Sequence, residues 1–167
     1  MKNAEKNNSH YQATLESWIT DQKAANEFID VIGKLWYDHD IELIFLRRQL
    51  LDRGANSILH KHSYAENIIK KQLTIQDSLR IAKAMLELNV APARIDIGRL
   101  NREWTEEKRK HDNDVKAFLS NKLSHIINVP PRSDKTKDVV LYGFGRIGRL
   151  LAREIIQGSG RGSQLRL

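Results

Sequence analysis

Cysteine is absent from this 167-residue chain, which excludes a disulfide framework and any Cys-ligated zinc site. The same absence removes the thiolate as a nucleophile within these residues. Proline occurs three times, at positions 92, 130 and 131, so breaks in helical pattern are few and two of them coincide. No run approaches the roughly 18 uninterrupted apolar residues of a membrane span, and no basic-then-apolar leader opens the sequence. The expectation is a soluble, cytoplasmic protein with no membrane partner. Hydrophobic residues are 40% of the chain, enough to bury one core and support an appendage.

The net charge of +7 suggests an acidic partner until its distribution is examined. Residues 129–167 hold eight basic and three acidic side chains and so carry +5 of the total, leaving +2 for everything upstream. The dense run Lys108-Arg109-Lys110-His111 directly follows Glu106-Glu107 on a predicted helix, where alternating sign reads as a solvated face. No aromatic residues interleave with the basic ones to make a stacking platform, so no nucleic-acid partner is expected.

Periodicity organises the first 128 residues. Residues 1–8 are polar and aperiodic and are expected to be a disordered N-terminus. From Tyr11, apolar residues at Leu15, Trp18, Ile19, Ala25, Phe28, Ile29, Ile32, Leu35 and Trp36 trace one long amphipathic helix, with both tryptophans expected in the core. The strongly apolar stretch Ile41 to Leu51 is ambiguous between helix and strand; helix is favoured, with Asp40 as cap and Gly54 as stop. Further helices are predicted over Asn56–Lys71, from a capping box at Thr74 through Leu88, from a cap at Asp96 toward Lys110, and from Asp114 through Ile126. Residues 9–128 thus read as an all-helical domain of five or six helices, followed by a proline-containing linker over 129–137.

Composition changes after the linker. Asp138 to Tyr142 is a near-continuous apolar strand suited to a buried place in a parallel sheet. It runs into Gly143-Phe144-Gly145-Arg146-Ile147-Gly148 and then into a helix predicted to Gln157. Strand, G-x-G-x-x-G and helix together are a dinucleotide-binding opening. The first glycine permits the tight turn, Gly145 lets backbone approach a pyrophosphate, and Gly148 allows close helix packing, with the phosphates at the helix N-terminus. A glycine-rich connection follows, and a second strand is expected to begin at Gln164. The fold class expected for the chain is therefore mainly α: a helical N-terminal domain, then, over 138–167, the start of a Rossmann-type NAD-binding domain.

The run Gly143-Phe144-Gly145-Arg146-Ile147-Gly148-Arg149, continued by Leu150-Leu151-Ala152-Arg153, closely resembles the start of glyceraldehyde-3-phosphate dehydrogenase. In that family the strand ordinarily opens the protein. Here it follows a preamble in which Tyr11-Gln12-Ala13, Gly33-Lys34-Leu35-Trp36-Tyr37-Asp38, the region Glu42 to Arg53 and Arg94-Ile95-Asp96-Ile97-Gly98 resemble the N-terminal extension of long-form bacterial members. Tyr142 departs from the Asn usual in the family, at a place where phosphate binding uses backbone amides. The resemblance implies NAD as cofactor, glyceraldehyde 3-phosphate and phosphate as substrates, a role in glycolysis or gluconeogenesis, and a homo-oligomer. It also implies that Gly143, Phe144, Gly145, Arg146, Ile147 and Gly148 hold the cofactor, the amides of Arg146 and Ile147 facing its pyrophosphate. Members oxidise the aldehyde as a hemithioacetal on a cysteine and pass hydride to the nicotinamide. These 167 residues hold no cysteine and no ribose-binding acid about 20 positions past the motif, so they are expected to be the inactive front of a larger enzyme.

Two other readings compete. A D-2-hydroxyacid dehydrogenase carries a similar glycine motif at comparable depth, but its upstream half alternates strands and helices. A helical partner-binding or oligomerisation module is the other, and an apolar surface stripe on the helical layer would favour it. Elsewhere, His60 and His62 point apart at i, i+2 and are not expected to bind metal. Asp38-His39-Asp40 sits between apolar runs, where Asp serves as a cap. Arg149 and Arg153, one turn apart, read as solvated.

Overall fold

The computed structural model describes residues 2–130, 137–158 and 165–167, with side chains from His10 onward. The linker and the glycine-rich connection predicted above lie mostly outside the described residues.

Helix α1 (Lys2–His39) contains no proline, and its only glycine is Gly33, so nothing interrupts it before Asp40. Its helical backbone starts at Lys2, ahead of the periodicity that begins at Tyr11. Asp40 adopts the left-handed conformation at φ 55° and ends the helix. It is therefore not the cap of a following helix, as the sequence suggests. The next element is a strand, β1 (Ile41–Phe45), in which Ile41, Leu43 and Phe45 are buried alternately with half-exposed neighbours. That period of two is the sheet signature, obscured in the sequence by Ile44 and Leu46 on the other parity.

Leu46 and Arg47, both at positive φ (48° and 68°), turn the chain into the antiparallel β2 (Arg48–Gln49). Two successive positive φ values usually select Asn and Gly. Here the side chain of Asp96 holds the turn instead, accepting from Leu46 N at 2.9 Å and Arg47 N at 3.0 Å.

Helices α2 (Ala55–Ile69) and α3 (Ile75–Glu87) follow, close to the predicted spans. Thr74 caps α3 by accepting from Asp77 N. The chain then returns to the sheet. Strand β3 (Ala93–Asp96) pairs parallel with β1, Leu43 opposite Ile95, to give the order β2-β1-β3. The N-terminal layer is thus helical around a small mixed sheet, correcting the all-helical expectation. Asp96 caps α4 (Ile97–Glu107) through Arg99 N, and Asp114 caps α5 (Val115–Lys122) through Lys116 N.

The core gathers Phe28, Ile32 and Leu35 of α1, the inward face of β1, Ile81 and Met85 of α3, and Trp104 against Phe118 with ring centroids 5.3 Å apart. Trp18 and Trp36 are not part of it. Trp18 is 56% exposed, because the apolar stripe of α1 extends past the body that covers its C-terminal half; Trp36, within that half, is half-buried.

A second small unit follows: β4 (Lys137–Asp138), α6 (Arg146–Gly158) and β5 (Leu165–Arg166), with β4 and β5 parallel. The expected strand Asp138–Tyr142 is reduced to its beginning. Val139 N still donates to Arg166 O at 2.7 Å, but Val140 and Tyr142 are fully open to solvent. Among the described residues β4 has β5 as its one paired neighbour, so the two-sided cover of a buried parallel strand is lacking.

Candidate phosphate-binding loop

The six predicted loop residues fall on one strand-to-helix turn. Gly143 lies at φ +98°, a conformation that a side chain strongly disfavours, and this reverses the chain. Gly145 accepts at its carbonyl from Arg149 N at 3.0 Å, the first intrahelical bond of α6. The amides of Arg146, Ile147 and Gly148 therefore precede any i to i−4 partner and form the positive end of the helix. Gly148 faces back onto the turn: a β-carbon there would lie 2.3 Å from the carbonyl oxygen of Gly143, far inside contact distance. At Gly145, by contrast, a β-carbon meets nothing within 4 Å. Gly143 likewise meets nothing within 4 Å but is held to glycine by its positive φ, so Gly145 is the one of the three that neither φ nor a close contact constrains.

The cleft in front of the turn has a volume of about 820 Å³ and is lined by Val140–Gly143, Gly145–Gly148 and Leu151. Three glycines contribute bare backbone to this lining, beside the larger Leu141, Tyr142, Arg146 and Ile147. Phe144 and Ile147 are both largely exposed. Arg166 and Asp138 tie the strand pair together at 2.8 Å, each depressing or raising the other's pKa toward the charged form.

The other candidates are not brought together. His60 stacks on Tyr64, whereas His62 is buried on the opposite side of α2. No group of three potential metal ligands forms among the described residues.

The fold also contains a buried polar chain that no sequence pattern announces. His62 Nδ1 faces the carbonyl of Ile58 at 2.9 Å and must donate to it, which leaves Nε2 to accept from Ser78 Oγ at 2.9 Å. Ser78 in turn accepts from Asn101 Nδ2, which also donates to Thr74 O. Burial among Phe28, Phe45 and neighbouring side chains holds the His62 pKa below the usual histidine value. Ser78 is fully buried, so this chain ties α2, α3 and α4 together and offers no accessible nucleophile. Only the spatial arrangement reveals it, since 62, 78 and 101 share no sequence spacing.

No family model matches the chain. Over 142 residues, 83% of its length, it is 32% identical to a glyceraldehyde-3-phosphate dehydrogenase-like protein of Pseudomonas aeruginosa (strain UCBPP-PA14). The two are homologues. The chain spans about 30% of the length of that curated relative. A match over 83% of this sequence takes in more than the glycine loop, so the helical preamble belongs to the shared region.

Proposed function

We propose that the chain is the N-terminal part of an NAD-dependent glyceraldehyde-3-phosphate dehydrogenase, in which residues 138–167 open the nucleotide-binding domain. The observation that carries this reading is the division of labour among the glycines. Gly143 supplies the turn, Gly148 the close approach, and Gly145 a floor of backbone with free space above it. Gly145 is the N-cap of α6, a place several residue types can fill, and glycine there leaves bare backbone toward the cleft. The amides of Arg146 and Ile147 would hold the pyrophosphate, with Gly143 and Phe144 beside it. NAD bound there would supply the hydride acceptor. The name of the Pseudomonas relative supports a dehydrogenase of this kind over a hydroxyacid dehydrogenase. Oxidation of glyceraldehyde 3-phosphate with uptake of phosphate is the proposed reaction of the complete protein, in a cytoplasmic homo-oligomer.

The test is Gly145→Val in the protein extended through its remaining nucleotide-binding domain. NAD affinity should fall by about a hundredfold, near 3 kcal/mol, while the melting temperature stays within a degree or two. Gly148→Val should instead lower both, because its side chain collides with the Gly143 carbonyl. Unchanged NAD affinity in Gly145→Val would reduce the loop to a structural turn and end the cofactor assignment.

A further inference from the structure

Lys34, Lys71, Lys83, Arg94, Lys116 and Lys122 each meet a carboxylate. Arg48, Arg53 and Lys61 do not: among the described residues none of the three has an ion-pair partner. They come from separate places, Arg48 from β2, Arg53 from the turn before α2 and Lys61 from α2 itself, so the fold and not a basic run brings them together. The Arg48 guanidinium lies over the Tyr64 ring, 5.0 Å from its centre. Ser57 and Tyr64 are each one turn from Lys61 on the same face of α2, and Lys61 Nζ donates to Ser57 Oγ at 3.4 Å. Partial burial, and then the charges of Arg53 and Arg48, hold the Lys61 pKa below the usual lysine value. The neighbouring carboxylates do not relieve this crowding. Asp52 is exposed and pairs with none of the three, and Asp96 is engaged by the amides of Leu46, Arg47 and Arg99.

We propose that Arg48, Arg53 and Lys61, with the Ser57 hydroxyl, bind a small soluble anion that carries two linked phosphate groups. The chemistry of the patch selects an anion. Its three cations offer only donors, and Ser57 accepts from Lys61 while its own proton has no acceptor among the described residues. Arg48, held over the ring of Tyr64, keeps its N–H groups free of protein acceptors, and that fork matches phosphate oxygens in pairs. Charge sets the size of the ligand. One phosphate leaves the patch cationic, whereas two linked phosphates balance three cations that repel one another in the free protein. The cationic surface is also short. Along the same face of α2 it gives way to Tyr64 and then to Ile68, which is apolar and 60% exposed, so a nucleic-acid backbone finds no continuing track. The patch lies in the N-terminal body, apart from the glycine loop, and does not depend on the proposed activity.

The experiment is titration of the nitrogen-15-labelled 167-residue chain with inorganic diphosphate at constant ionic strength, followed by NMR. The amides of Arg48, Arg53, Ser57 and Lys61 should shift together and saturate. Arg48→Gln and Arg53→Gln should each weaken the binding by about tenfold, the loss of one charge-assisted contact. Both side chains are exposed, so the variants should keep the cooperative melt. Arg109→Gln, which removes the same charge from the exposed run Lys108–His111, should leave the affinity unchanged. Four results would overturn the proposal. Absence of saturable shifts, or shifts confined to residues 143–148, would remove the site from this patch. Equal weakening by Arg109→Gln, or sulfate binding as tightly as diphosphate, would reduce the effect to screening of net charge. Loss of cooperative melting in both Arg48→Gln and Arg53→Gln would make these side chains structural. A single-stranded oligonucleotide that displaces diphosphate from these amides at lower concentration would assign the patch to nucleic acid.

Discussion

Asp96 stabilises two elements at once, and its removal should cost more than the loss of a helix cap. Its carboxylate caps α4 through Arg99 N and also holds the Leu46-Arg47 turn through two amides fifty residues away. A cap alone is worth about 1 kcal/mol. The two turn amides add about 1 kcal/mol each, at the lower end for charge-assisted bonds because the site is half-exposed. Leu46 and Arg47 sit in left-handed conformations that cost about 1 kcal/mol apiece, and without the carboxylate nothing offsets them. Asp96→Ala should therefore lose about 3 kcal/mol in urea unfolding, a drop of about 10 °C in melting temperature for a body of this size. Asp96→Asn keeps Oδ1 for Leu46 and Arg99 but turns an N–H toward Arg47 N, and should cost about half as much. Asp114→Ala removes a cap and nothing else, so it calibrates the comparison at about 1 kcal/mol. If Asp96→Ala costs no more than Asp114→Ala, the carboxylate does not support the hairpin and the account of the turn fails.

Two further outcomes are expected. His62 has a folded pKa below its unfolded value near 6.5, so the unfolded chain takes up the proton first. Stability should be level above pH 7 and fall as pH drops below about 6.5, by no more than about 1.4 kcal/mol per pH unit for one proton. His62→Phe, although less stable throughout, should lose that part of the slope, and an unaltered slope in urea titrations from pH 5 to 8 would refute the assignment. The 167 residues by themselves should neither reduce NAD in the presence of glyceraldehyde 3-phosphate and phosphate nor bind it with micromolar affinity. Calorimetry and the absorbance of NADH would check this, and turnover above background would overturn it.

Legibility in the sequence follows the range of the determining interaction. Helices α3, α4 and α5 are capped by Thr74, Asp96 and Asp114, each bonding to an amide two or three residues on, and all three are readable locally. The glycine loop is readable for the same reason. The sheet is not. Its hairpin turn carries Leu-Arg in place of Asn-Gly, and what makes that pair workable is a carboxylate fifty residues downstream. Gly98 belongs to the same device: a β-carbon there would lie 3.0 Å from Leu46 Cγ and 3.1 Å from Leu46 N. The run Arg94-Ile95-Asp96-Ile97-Gly98 is thus a strand, a double-duty carboxylate and a clearance, none of which periodicity reports. Trp18 is a different kind of failure. Apolar spacing identifies a face to be covered, and it is silent on whether the cover comes from the same chain.

The two units of the chain differ in how far they satisfy their own apolar surface. The core cluster of the N-terminal body draws its buried members from Ala24 to Leu123, and the body closes on itself where Val90 bridges Ile127 and Asn128 N donates to Asn89 O. In α6 the only buried residue is Ala152, while Ile147, Leu150, Leu151 and Ile156 stay about half or more exposed beside an open Val140 and Phe144. An amphipathic helix with its apolar face in water, flanked by a strand pair of two residues, gains too little burial to offset the ordering of its chain. The loop geometry survives on local constraints: one turn glycine, one close approach and one first-turn hydrogen bond. Rigid presentation of its amides requires further strands and helices against that face. The proposed phosphate site is therefore encoded locally in six residues, whereas the stiffness that would make it bind has to come from packing that these six do not supply.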